Sequence, residues 1–173
     1  NYTYDALNRQ LLEKLGTVTK VTNTYDASTD GVGRLTGIAT DSLTQTNSYN
    51  ALGGTKSESK IINAVTYLTS YDYDRQGNQT LITNPDNSQI KYIYNSAGLL
   101  NQVERKESAD PGFADVVTNF DYSPAGQVTT IAYANGAATT NTYDAAKLYR
   151  LTNKVSLKDS THLQDLAYTY DNV

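Results

Sequence analysis

Residues 71–95 read Tyr71-Asp72-Tyr73-Asp74-Arg75-Gln76-Gly77-Asn78-Gln79-Thr80-Leu81-Ile82-Thr83-Asn84-Pro85-Asp86-Asn87-Ser88-Gln89-Ile90-Lys91-Tyr92-Ile93-Tyr94-Asn95. The stretch begins and ends on one phrase, an aromatic, any residue, a tyrosine and a short polar residue. In Tyr-x-Tyr both aromatics project from one face of a strand, because side chains alternate with period two. Asp74 at the strand end can accept backbone N–H bonds in a turn, and Gly77 supplies a positive φ there. Leu81-Ile82 then reads as a second strand. Asn84-Pro85-Asp86-Asn87-Ser88 reads as a second turn that leads back to the next tyrosine strand. Each unit is therefore a β-hairpin. Two strands of ordinary length and two turns fit a repeat in the low twenties.

Working outward, the phrase recurs eight times. It appears at Tyr2-Thr3-Tyr4-Asp5, Asn23-Thr24-Tyr25-Asp26, Asn47-Ser48-Tyr49-Asn50 and Tyr71-Asp72-Tyr73-Asp74. Tyr92-Ile93-Tyr94-Asn95, Phe120-Asp121-Tyr122-Ser123, Asn141-Thr142-Tyr143-Asp144 and Tyr168-Thr169-Tyr170-Asp171 complete the series. The second aromatics align at Tyr4, Tyr25, Tyr49, Tyr73, Tyr94, Tyr122, Tyr143 and Tyr170, at intervals of 21 to 28 residues. Four residues after the aligned tyrosine stands Gly53, Gly77, Gly98 or Gly126, with Asn8 in the first copy. Two copies carry longer turns, Asp30-Gly31-Val32-Gly33-Arg34-Leu35 and Lys147-Leu148-Tyr149-Arg150-Leu151, each resuming on Arg-Leu.

This periodicity predicts an all-β, antiparallel β-hairpin repeat array over residues 1–173, a single array of about eight copies and roughly sixteen strands. Ser108–Asp115 is expected to form a longer surface loop. The residues expected to carry the repeat structurally are Tyr2, Tyr4, Asp5, Tyr25, Asp26, Tyr49, Tyr71, Tyr73, Asp74 and Gly77. Tyr92, Tyr94, Gly98, Tyr122, Gly126, Tyr143, Asp144, Tyr168, Tyr170 and Asp171 complete that set. The chain opens on Asn1 and contains no Met, which fits a piece of a longer protein.

Composition narrows the chemistry. With 15 Tyr and 2 Phe but no Cys or Trp, thiolate metal sites, disulfides and cysteine nucleophiles are excluded. The single histidine, His162, excludes any site needing two imidazoles. A net charge of −4 argues against a nucleic-acid partner, which would need a basic face. No apolar run approaches the roughly 20 residues needed to span a bilayer as a helix, so no membrane insertion is expected.

The Y-x-Y-D-x-x-G-R/N-x-L pattern resembles the YD-repeat, or RHS (rearrangement hot spot), family. Tyr25-Asp26-Ala27-Ser28-Thr29-Asp30-Gly31-Val32-Gly33-Arg34-Leu35-Thr36 is especially similar to its bacterial members. The resemblance covers essentially the whole chain. Asn50, Asn95 and Ser123 replace Asp, and Phe120 replaces the first Tyr; each keeps the turn-forming or aromatic character. The resemblance implies hairpins wound into a spiralling sheet that closes as a shell. In bacterial toxins of this family the shell holds a C-terminal toxic domain, and in the animal teneurins a related shell contributes to adhesion. It implies a secreted or cell-surface location. Expected partners are neighbouring repeats of the same parent chain, an enclosed toxin domain or a surface glycan, with self-association through sheet edges.

Possible chemical sites weaken on inspection. Asp72 and Asp74 lie about 7 Å apart along one strand face, a separation found in inverting glycosidases. Asp74, however, is already explained as a turn acceptor. Asp72-x-Asp74-x-Gln76-Gly77-Asn78 begins like a calcium loop, but Thr83 stands where the bidentate Glu belongs. Gly31-Val32-Gly33 and Gly53-Gly54-Thr55-Lys56-Ser57 lack the spacing and following helix of phosphate-binding loops. His162 falls in a polar stretch that reads as exposed loop, and Asp110-Pro111-Gly112 reads as a loop turn. No catalytic residues, cofactor or metal are expected. The motif tyrosines are expected to stack on one another across neighbouring strands, at roughly 0.2–1 kcal/mol per contact. The alternative is a platform for carbohydrate or a cell-surface partner.

Overall fold

The computed structural model describes residues 1–171. Fifteen strands are found among them, and the remaining regular structure is two single 3-10 turns, Thr29–Gly31 and Ala145–Lys147. The chain divides into two compact units, residues 1–89 and residues 90–173. The first holds β1 (Tyr2–Tyr4), β2 (Gln10–Leu15), β3 (Val18–Tyr25), β4 (Leu35–Thr40), β5 (Leu43–Tyr49), β6 (Thr55–Ile62), β7 (Val65–Tyr73) and β8 (Gln79–Thr83). The second holds β9 (Gln89–Tyr94), whose first residue lies at the boundary, β10 (Leu100–Lys106), β11 (Ala114–Tyr122), β12 (Val128–Tyr133), β13 (Ala137–Asp144), β14 (Arg150–Lys158) and β15 (Thr161–Ala167).

Within each unit the strands lie in chain order, each hydrogen-bonded to its sequence neighbours. The paired strands run antiparallel, as in β2 with β3 and β13 with β14. The fold is thus an antiparallel hairpin array, as the repeat predicts. The odd-numbered strands β1 to β13 end in the motif, the eighth motif follows directly after β15, and even-numbered strands return from them. Seven motif strands, seven returns and β15, which leads into the eighth motif, make fifteen strands among the described residues where roughly sixteen are expected. The long loop falls between β10 and β11 over residues 107–113, shorter than the expected Ser108–Asp115, because Ala114 and Asp115 already pair with β10 as the start of β11.

One turn design serves the five copies without insertions. In the fourth copy Gly77 N–H donates to the Asp74 carbonyl at 3.2 Å, and Asp74 N–H donates to the Asn78 carbonyl at 2.9 Å. This is a three-residue hairpin loop that ends on a left-handed residue. Gly77, at φ +88°, occupies that position, and Asn8 holds it at φ 60° in the first copy. The register slips by one residue immediately before the aligned tyrosine at Tyr4, Tyr25, Tyr49, Tyr73, Tyr122 and Tyr143. A β-bulge at this place increases local twist and re-aims the side chain that follows it.

Burial is shallow. Among the described residues the apolar side chain buried outright is Val117, at 8% exposure, beside the buried threonines Thr36 and Thr139. Most strand positions are half-buried, so the array relies more on ladders and local ties than on a thick apolar centre.

Candidate functional site

The motif residues converge on a junction between successive copies. The Asp of Tyr-Asp lies at the mouth of the hairpin and accepts from the turn. Asp74 Oδ1 accepts from Gln76 N–H at 2.8 Å and Asn78 N–H at 2.9 Å. Asp5 does the same for Leu7 and Arg9. Asn95 Oδ1 serves Ala97 and Leu99, and Ser123 Oγ serves Ala125 and Gln127 more weakly at 3.3 and 3.2 Å. The substitutions at these positions keep an oxygen where the turn needs an acceptor. Asp144 instead caps the 3-10 turn by accepting from Ala146 N–H at 2.9 Å. Asp171 is exposed.

The aligned tyrosine reaches back to the preceding copy. Its hydroxyl donates to the carbonyl at or beside the start of that copy's return strand. Tyr25 donates to Gln10 at 3.0 Å, Tyr49 to Leu35 at 2.6 Å and Tyr73 to Thr55 at 2.8 Å. In the second unit Tyr122 donates to Leu100 at 2.7 Å, Tyr143 to Val128 at 3.0 Å and Tyr170 to Leu151 at 2.7 Å. Where the motif begins with Asn, its amide joins the tyrosine on the same acceptor. Asn23 also donates to Gln10, Asn47 to Leu35 and Asn141 to Val128.

This arrangement corrects the expectation of cross-strand tyrosine stacks. The ring pair Phe120–Tyr122, with centroids 6.5 Å apart, lies along a single strand. Six of the aligned tyrosines are engaged through their hydroxyls, and three of these rings are covered by an arginine. Arg9 lies 4.4 Å above the Tyr25 centroid, Arg34 5.2 Å above Tyr49 and Arg150 5.2 Å above Tyr170. These are the arginines that follow the turn in their copies, so one dipeptide supplies the cation over the next tyrosine and the carbonyl for its hydroxyl. Tyr2 and Tyr4 on β1 are exposed, Tyr71, Tyr92 and Tyr94 are half-buried, and Tyr168 donates its backbone N–H to Thr152.

At the first junction the arginine is also held by charge. Arg9 Nε lies 2.7 Å from Asp5 Oδ2, and its Nη2 lies 2.6 Å from Asp26 Oδ2. Backbone N–H bonding from Arg9 holds the Asp5 carboxyl below its ordinary range, and the Arg9 side chain does so for Asp26. Asp74 is lowered chiefly by the Asn78 amide. Burial raises the Tyr73 and Tyr122 hydroxyls, with Tyr71 adding to the effect at Tyr73.

A cavity of about 420 Å³ lies at the third junction, lined among others by Tyr49, Asn50, Tyr71, Tyr73 and Asp74. Asp30, Asp72 and Lys56 also line it. The predicted Asp72–Asp74 pair therefore borders a cavity, with Asp74 committed to its turn. His162 is exposed as expected but lies in strand β15, paired opposite Leu157, rather than in a loop, with its Nδ1 3.5 Å from Asp165. Asp110 accepts from Glu107 N–H within the long loop. The hydroxyl tie is the functional feature that sequence reading missed.

No protein-family model and no curated protein matches the sequence. Solved structures do. The chain superposes with TM-score 0.82 on the crystal structure of TcdB2-TccC3-Cdc42 and 0.83 on that of TcdB2-TccC3. It superposes with TM-score 0.83 on the Photorhabdus luminescens Tc holotoxin pore carrying a TccC3 variant. Identity is 19% in each case, over 98% of this chain and 10% of the other. The array thus has the fold of the YD-repeat, or RHS, shell that these Tc toxin chains contain. It spans about a tenth of their length. No helix among the described residues is long and apolar enough to cross a membrane.

Proposed function

We propose that the chain is a structural segment of a YD-repeat wall that encloses or displays another polypeptide, such as a C-terminal toxin domain. The observation that carries this reading is the tyrosine junction. The groups that would otherwise suggest a binding or reacting surface act as joints, with six hydroxyls tied to the backbone of the preceding copy. On this reading residues 1–173 are one run of copies within a longer array, the segment is not itself an enzyme, and its location is secreted or cell-surface. A glycan platform draws no support from hydroxyls already committed to carbonyls. The exposed β15 offers an open strand edge, so neighbouring repeats or a second copy should cover it.

Tyr73→Ala and Tyr122→Ala test the joint. Large-to-small changes at packed positions cost about 2–5 kcal/mol, and half-burial places these at the lower end. Each should lower the midpoint of the cooperative unfolding transition followed by circular dichroism. Variants that unfold like the parent but lose a glycan or cell-surface ligand would overturn the structural reading. For enclosure, the parent protein should protect its C-terminal domain from protease while the shell is intact; equal cleavage with and without the repeats would sink that part.

A further inference from the structure

The first and third junctions use the same positions with different residues. At the first, Arg9 follows the turn, lies over the Tyr25 ring and is gripped by Asp5 and Asp26. At the third, Asn50 stands for Asp5, Tyr73 for Tyr25, Asp74 for Asp26, and Gly54 for Arg9. The ring, the acceptor and the second carboxylate remain, but the arginine does not. The cavity of about 420 Å³ opens at this junction, bordered by Asn50, Tyr73 and Asp74.

We propose that this cavity is a receptor for an arginine side chain of another polypeptide, whose guanidinium takes over Tyr73 the place that Arg9 takes over Tyr25. Three observations support a cation over other occupants. The chain's own solution to the same geometry is a guanidinium stacked on tyrosine between acidic groups, an arrangement favoured by the ring quadrupole. Three aspartates, Asp30, Asp72 and Asp74, are among the residues that line the cavity, against the one lysine Lys56. Among the described residues Asp30 and Asp72 make no ion pair, so their charge is available to a ligand. Gly54 is where an internal arginine would start. A Cβ there would meet Tyr73 Cζ at 3.2 Å and Asn50 Nδ2 at 3.1 Å, so a side chain at this position would start directly against the Tyr73 ring.

The test is a titration of the full chain with N-acetyl-arginine methylamide, read by NMR on the Tyr73 ring and neighbouring amides. The citrulline counterpart, of the same shape without the charge, and methyl glucoside are the comparison probes. Saturable shifts centred on Tyr73 are expected with the arginine probe, and about tenfold weaker binding with citrulline. Gly54→Arg should abolish the response by filling the slot from within. Should that variant fail to fold, the Asp30→Asn/Asp72→Asn pair, which touches no turn bond, should weaken arginine binding severalfold. Equal response to citrulline overturns the proposal. So does saturation at the same signals by methyl glucoside alone, or an undiminished arginine response in a folded Gly54→Arg or Asp30→Asn/Asp72→Asn chain.

Discussion

The first and third junctions of the array solve one structural problem with unequal means. Both tie a tyrosine hydroxyl to a carbonyl of the preceding copy, at 3.0 Å for Tyr25 and 2.8 Å for Tyr73. The first adds a second donor, Asn23, and a clamped arginine above the ring. The third has Tyr71 where Asn23 stands, no arginine, and a cavity bordered by Tyr73 and Asp74. The hydroxyl tie is therefore the constant of the design, and the groups around it vary. A repeat array tolerates that variation because each copy touches only its neighbours, so a gap at one junction is not transmitted to the others.

The turns that open these two junctions differ most in how they bear substitution. Asn8 and Gly53 occupy the same left-handed position, at φ 60° and +87°. Gly53→Ala should cost about 1–2 kcal/mol from the backbone alone. It should also displace Arg34, because a Cβ there would collide with the Arg34 guanidinium. Asn8→Gly should be neutral or slightly stabilising, since it relieves a left-handed conformation without removing a contact between copies. Urea midpoints measured on both variants check the pair, and a Gly53→Ala chain as stable as its parent would show that the turn does not require its left-handed residue.

A finer comparison follows from the donor count. Removing a hydroxyl is cheap when its acceptor keeps another partner and dear when a half-buried acceptor is orphaned. Tyr25→Phe leaves Gln10 with the Asn23 amide, whereas Tyr73→Phe leaves Thr55 without a side-chain donor. Tyr73→Phe should therefore destabilise by about 1 kcal/mol more than Tyr25→Phe. Adding Asn23→Ala to Tyr25→Phe should raise its cost to that of Tyr73→Phe, a non-additivity that a double-mutant cycle reads directly.

Much of this architecture was legible in the sequence because its determinants are local. Tyr-x-Tyr spacing, the acceptor after it and Gly77 four residues on act within one hairpin, and they predict the turn. The tie between copies was not legible, because its acceptor is a backbone carbonyl and carries no residue identity. Even so, Asn23, Asn47 and Asn141 held a clue. An amide cannot stack as a ring does, so its exchange with Tyr71 or Phe120 argues against a continuous row of stacked rings at that position. The bulge before six of the aligned tyrosines was also hidden, since register depends on both strands. Gly54 as a missing arginine becomes visible only beside Arg9 in its place.

Acid separates the junctions by the smallest effect. Asp5 and Asp26 are both held below the ordinary carboxylate value of about 3.9 in the folded chain. A depressed folded-state pKa contributes stability above the unfolded value, and that stability is lost as pH falls through the folded one. The first junction should thus weaken below about pH 4, where its two carboxylates begin to release Arg9. The third has one such group, Asp74, and the uncharged Asn50 in place of the other. Replacing Asp5 and Asp26 together with Asn should flatten the fall in thermal midpoint between pH 5 and pH 2 more than Asp74→Asn does. Salt should blunt the difference, because these groups are exposed enough to be screened. Identical acid profiles for the two variants would mean that the Arg9 clamp adds nothing beyond the turn bonds that both junctions share.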